Sequence, residues 1–142
     1  MSDIIMTVRA RHIRNMREGR KKYELRKNRP SDFRAHNHYN NVWLCESGSG
    51  GRIVAAFRCR AFPEMTASAD KLIAELCCIT PEEVQGYRKG GKERIFGWLI
   101  EGFRYFKGTD KERHVTDFGV NRPPQSWCYA KQDDREDKEA EQ

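Results

Sequence analysis

The sequence predicts one α+β domain of short strands and short helices, and three observations carry that expectation. A chain of 142 residues matches the usual size of one domain with one core. Its 37% hydrophobic and 11% aromatic residues suffice to build that core, while 34% charged residues imply that polar loops and tails dilute it. Strand-like runs punctuated by turn residues recur along the chain, whereas the helix-spaced apolar segments are brief.

Ile4, Ile5, Met6 and Val8 form the first strand candidate. Ile13 and Met16 follow at helical spacing and Gly19 offers a stop. From Lys22 to Arg26 polar and apolar residues alternate. A strand there sets Lys22, Glu24 and Arg26 on the face opposite Tyr23 and Leu25, with Lys21 at the turn leading in. Residues 29–41, polar and broken by Pro30, read as a loop. Val42–Cys45 and Arg52–Phe62 then read as a hairpin around Ser47-Gly48-Ser49-Gly50-Gly51, the second strand long enough to curve.

Ser68 is the expected cap of a helix carrying Leu72, Ile73 and Leu76. Thr80-Pro81-Glu82-Glu83 is a capping-box start for another helix, ending in the basic, glycine-bearing stretch 86–92. Ile95–Phe106 is aromatic and strand-like, bent at Gly97 and Gly102. Val115–Val120 and Ser126–Ala130 are the last strand candidates, separated by Arg122-Pro123-Pro124. The expected domain is 1–130, with an acidic, disordered tail over 131–142.

The net charge of +6 favours a polyanionic partner. Residues 1–40 hold eleven Lys and Arg against four Asp and Glu, while 131–142 hold three against six, so a basic head contrasts with an acidic tail. Cys45, Cys59, Cys77, Cys78 and Cys128 are an odd set without a C-x-x-C pair, which fits a reducing cytoplasm and speaks against a disulfide framework or zinc knuckle. The chain shows neither a signal-peptide core nor a run near the roughly 20 apolar residues that span a bilayer. A soluble cytoplasmic protein with no membrane partner is expected.

Gly19-Arg20-Lys21-Lys22-Tyr23-Glu24-Leu25-Arg26 fits a G-x-K-x-x-E-x-R signature, after a strand and a helix. Before the acidic tail the chain carries Arg122-Pro123-Pro124-Gln125-Ser126-Trp127-Cys128-Tyr129. Together these make residues 2–130 resemble the ASCH domains, in particular the small bacterial and phage members. The resemblance implies a PUA-like mixed β-barrel of about five or six strands with flanking short helices, an architecture used to bind RNA or modified nucleosides. Some relatives hydrolyse N4-acetylcytidine with a threonine nucleophile and a lysine three residues earlier; Lys21 matches that lysine, and Glu24 stands where the threonine would be. Other relatives are metal-dependent ribonucleases, which would add a divalent metal; no other cofactor is implied.

The expected ligand is RNA, a nucleoside or a nucleotide. Lys21 and Arg26 are candidates to clamp a phosphate or orient a base, with Glu24 accepting from a base edge or pairing structurally with Lys22 or Arg26. Were the protein an amidohydrolase or ribonuclease, Lys21, Glu24, Tyr23 and Ser126 would line the reaction cleft, Glu24 as general base. Arg9, Arg11, Arg14, Arg17, Arg20 and Lys22 are candidates for a nucleic-acid face. Trp43, Trp98, Phe103, Tyr105 and Trp127 suit the core better than base stacking. No metal site is expected, because His36 and His38 beside Asp32 lack a zinc spacing, and Cys77-Cys78 reads as a buried apolar pair. A regulator that binds a host protein through its basic face or acidic tail is the reading from a different class.

Overall fold

The first strand lies inside its sheet rather than at an edge, and that placement organises the rest. In the computed structural model, which describes residues 2–31, 39–89 and 93–131, β1 (Ser2–Val8) runs parallel to β3 (Asn40–Glu46), Ile4 opposite Val42. Parallel neighbours need a crossover connection. Here it contains α1 (Ala10–Arg17) and β2 (Tyr23–Arg26), so the signature lies on the crossover rather than in the main sheet.

β4 (Arg52–Cys59) returns antiparallel to β3 after the glycine turn, where Gly48, Gly50 and Gly51 all have positive φ. The main sheet has the order β6-β4-β3-β1-β8, from β6 (Glu101–Tyr105) to β8 (Trp127–Tyr129), with β7 (Arg113–His114) also on β4. β2 pairs antiparallel with β5 (Phe96–Leu99) as a second sheet. The predicted α+β class and strand-rich architecture are present, but the described strands hydrogen-bond as six plus two rather than as one closed ring.

Three apolar clusters hold the layers. The α1 residues Ile13 and Met16 pack on one face of the main sheet with Ile4, Met6, Val42, Leu44, Phe57 and Trp98. Leu25 of β2 instead joins α2 (Asp70–Cys77) and α3 (Pro81–Arg88) through Ile73, Cys77, Val84 and Ile95. The opposite sheet face closes over Ile5, Cys45, Ile53, Val115 and Val120.

Several local expectations shift. Ser68 lies in a 3₁₀ turn (Ala67–Ala69), and α2 starts at Asp70 without a side-chain cap. That start points Ile73, Ala74 and Cys77 inward and leaves Leu72 55% exposed. Ile95–Phe106 divides into β5 and β6, which pair with different strands across a break at Ile100, whose amide donates to the Lys22 carbonyl. The strand expected over Val115–Val120 is a 3₁₀ turn (Val115–Phe118), because His114 and Asp117 cap it reciprocally and Gly119 ends it at φ +73. Cys77 is buried, whereas Cys78 is only half-buried, in a left-handed cap at φ 54. The readings on Asp32, His36 and His38 and on the acidic tail beyond 131 lie outside the described residues. No described helix is long and apolar enough to cross a membrane.

Thr80 caps α3 as its sequence predicts: its hydroxyl accepts from the Glu83 amide and the Glu83 carboxylate accepts from the Thr80 amide. Thr80→Ala is expected to lower unfolding free energy by about 1 kcal/mol, read as a reduced urea midpoint at unchanged slope.

Candidate functional site

Gly19 ends α1 at φ +74, and the amides of Arg20 and Lys21 both fold back onto the Asn15 carbonyl. This reversal aims the Lys21 side chain inward, where its ammonium donates to the carbonyl of Cys77, the last residue of α2. The final carbonyls of a helix lack intrahelical donors and carry the negative end of its dipole, so they suit a cation. Lys21 therefore sits only 3% exposed.

Glu24, three residues on, is also 3% exposed. Its Oε2 lies 3.3 Å from Lys21 Nζ and its Oε1 3.3 Å from Arg26 Nη2. Burial alone would raise the Glu24 pKa, but the charges of Lys21 and Arg26 outweigh it and hold the carboxyl below its usual value. Arg26 is fixed in turn, with Nη2 donating to the Thr7 carbonyl at 2.9 Å and Nη1 to Ser126 Oγ at 3.0 Å. β1, β2 and the segment before β8 thus converge on one guanidinium.

Glu24 and Arg26 open onto a cavity of about 560 Å³ between α1, α3 and the ends of β1 and β2. His12 and Tyr87 line it too, with Thr7 and Gln125, while Arg9, Arg11, Lys27 and Glu83 add charge around it. Desolvation lowers the His12 pKa to about 4 against the opposing pull of Glu24, so the imidazole is neutral at pH 7. Burial, and then the Glu24 charge, raise the Tyr87 pKa, keeping the phenol protonated. Two buried nitrogens of these lining residues, His12 Nδ1 and Arg26 Nε, have no hydrogen-bond partner, and Glu24 Oε2 has none beyond its ion pair with Lys21 Nζ. Among the described residues only Asn40 Oδ1 shares that condition. Such orphaned groups are uncommon in native interiors, and here they cluster.

Of the residues singled out from the sequence, Glu24, Arg26, Arg9 and Arg11 line the cavity, and Ser126 is tied to its edge through Arg26. Lys21 supports Glu24 from behind and is not part of the lining. Tyr23 faces the other way, packed against the cluster of Leu25 and Ile73. Lys22 is exposed and donates to the Gly19 carbonyl, Arg20 pairs with Glu18, Arg17 stacks 4.1 Å over the Tyr105 ring, and Arg14 is exposed outside the lining. Of the basic residues of α1, Arg11 is thus at the cavity, whereas Arg14 and Arg17 are exposed outside its lining. Trp98 is fully buried, Phe103, Tyr105 and Trp127 pack on its cluster, and Trp43 packs against the cluster on the opposite sheet face. His12, Tyr87 and Glu83 carried no functional signal in the sequence, because none stands in either motif of the resemblance, and Gln125, which stands in the second, was assigned no role there. Among the described residues no three His, Cys, Asp or Glu side chains gather as metal ligands, so no step through a divalent ion is derived.

Two outcomes follow for stability. Lys21→Ala leaves a buried carboxylate with one cation and is expected to cost about 3 kcal/mol in urea unfolding. Free histidine titrates at 6.5 and His12 at about 4. Between those values the unfolded chain holds a proton that the folded chain does not. Glu24, lowered from 4.5, adds a loss in the same direction as pH falls through its folded value. The thermal midpoint should therefore drop from pH 7 to pH 5, with a shallower drop in His12→Gln.

No family model matches the sequence, and no curated protein matches it. Among solved structures, ASCH from Zymomonas mobilis aligns with TM-score 0.66 and 13% identity over 98% of this chain and 93% of that one. A tyrosine-to-phenylalanine mutant of that protein aligns at 0.72 and 12% over 99% and 98%. A serine-to-alanine mutant aligns at 0.72 and 10% over 98% and 95%. Agreement along nearly both whole chains at so little identity is agreement of backbone, not of side chains. The chain has the fold of the ASCH proteins.

Proposed function

We propose that the cavity binds a nucleoside unit, either within single-stranded RNA or as a free modified nucleoside, and that binding rather than turnover is its activity. The observation that carries this is an ionised, buried Glu24 in the cavity wall beside two buried nitrogens, His12 Nδ1 and Arg26 Nε, that lack a hydrogen-bond partner. A ligand with amine and carbonyl groups restores the missing hydrogen bonds: the carboxylate accepts from a base amine, and Arg26 donates to a base carbonyl. The volume of about 560 Å³ lies within the range of small-molecule sites. Tyr87 adds an aromatic side chain to the lining, and Arg9, Arg11 and Lys27 match a phosphate backbone in sign.

Hydrolysis in the same cavity is the second reading, favoured by a carboxylate beside a neutral imidazole. Both groups are poor bases, however: two cations stabilise the Glu24 anion, and the His12 pKa of about 4 lies far from neutrality. Glu24 also supplies no hydroxyl nucleophile, so acyl transfer through a threonine at that position has no counterpart here.

The test is calorimetric titration of the protein with N4-acetylcytidine, the four ribonucleosides and a short single-stranded RNA, with products followed by mass spectrometry. Saturable binding without product, weakened at least tenfold in Glu24→Gln, is the expected outcome. Product formed by the wild type and not by Glu24→Gln would replace the binding reading with the hydrolase.

A further inference from the structure

A second charge pair with different physics lines the same cavity as Glu24. Arg11 of α1 and Glu83 of α3 both line the cavity, and Arg11 Nη2 donates to Glu83 Oε2 at 2.6 Å, tying the two helices together. Unlike the Lys21–Glu24 pair, these side chains are 47% and 32% exposed. An exposed pair contributes little to folding and exchanges partners readily. Glu83 is already occupied through its other oxygen, which accepts from the Thr80 amide in the capping box. The Arg11 hydrogen bond also lowers the Glu83 pKa, so the carboxylate is anionic at neutral pH. Arg9 lines the same cavity two residues before Arg11 and adds a second guanidinium to its wall.

We infer that Arg11 is the phosphate-binding residue of this site and that Glu83 is its built-in competitor, so that the cavity takes a phosphate-bearing nucleotide in preference to the bare nucleoside. This rests on the nucleoside reading proposed above and adds to it which part of the ligand each charge pair meets. The Lys21–Glu24–Arg26 side is buried and committed, with Arg26 held by Thr7 and Ser126, and serves the base. The Arg11–Glu83 side is accessible and serves the phosphate. A phosphate group offers the guanidinium two oxygens in a fork-to-fork arrangement, against the one oxygen that Glu83 gives it, and carries the larger charge. On binding, Arg11 turns from Glu83 to the phosphate while Glu83 keeps its capping contact, so the exchange leaves α3 capped. The preference is therefore moderated by an internal anion, and removing that anion strengthens it.

The experiment reads the ratio of two affinities in each variant: each of the four ribonucleosides and N4-acetylcytidine against its own 5′-monophosphate, by titration calorimetry at 50 and 200 mM salt. In the wild type the monophosphate is expected to bind about tenfold more tightly at the lower salt, the gap narrowing at the higher. Arg11→Gln should bring the ratio close to one, and Arg11→Lys, which keeps the charge without the fork, should leave it in between. Glu83→Gln, whose side-chain oxygen can still complete the capping box, should raise the ratio about threefold. Because each ratio is taken within one protein, a general loss of folding does not imitate these changes. A nucleoside that binds as tightly as its monophosphate, or a ratio indifferent to Arg11→Gln, overturns this inference and leaves the nucleoside site standing; failure of every nucleoside, every monophosphate and the single-stranded RNA to bind overturns both.

Discussion

Glu24 is ionised inside the protein, and removing a carboxylate from water costs several kcal/mol unless nearby charges and donors replace the lost hydration. Its neighbours are those replacements. Lys21 supplies one charge and is itself stabilised by the C-terminal carbonyl of α2, while Arg26 supplies the other and is braced by Thr7 and Ser126. Each compensation recruits a different part of the chain, so the helix pair, the first strand and the segment before β8 must all be in register for the charge to be tolerated. The triad is weak evidence for stability as such, since a well-packed apolar replacement is often no worse. Both oxygens of Glu24 are ion-paired, one to each cation, at the wall of the cavity.

The topology explains how so short a signature meets so many partners. A parallel β1–β3 pair demands a crossover, and the crossover carries α1 and β2 over the sheet. β2 then has two faces with separate duties: Tyr23 and Leu25 pack toward α2 and α3, while Glu24 and Arg26 turn to the cavity. α1 divides its residues similarly, with Ile13 and Met16 in the core, His12 at the cavity and the arginines dispersed around it. Arg17 stacks on Tyr105 and Arg20 pairs with Glu18, while Arg9, Arg11, Arg26 and Lys27 line the cavity.

What the sequence by itself determined is what nearest neighbours decide: the alternation that separates Glu24 from Leu25, the stop at Gly19, the glycine hairpin over residues 47–51 and the capping box at Thr80. In each case backbone sterics or a hydrogen bond three residues away is enough. The architecture class and the place of Glu24 and Arg26 were legible for the same reason. The 3₁₀ turn at Val115–Phe118 was hidden, because its β-branched and aromatic residues look like strand while His114 and Asp117 fold it otherwise. Only the tertiary structure decided that Lys21 is a buried support rather than a clamp, since its acceptor Cys77 lies 56 residues away. It likewise brought Arg11 to Glu83 across 72 residues and Arg26 to Ser126 across 100, and set His12 beside Glu24. A charge's role depends on how much water and which opposite charge the fold leaves beside it, and no spacing along the chain encodes either.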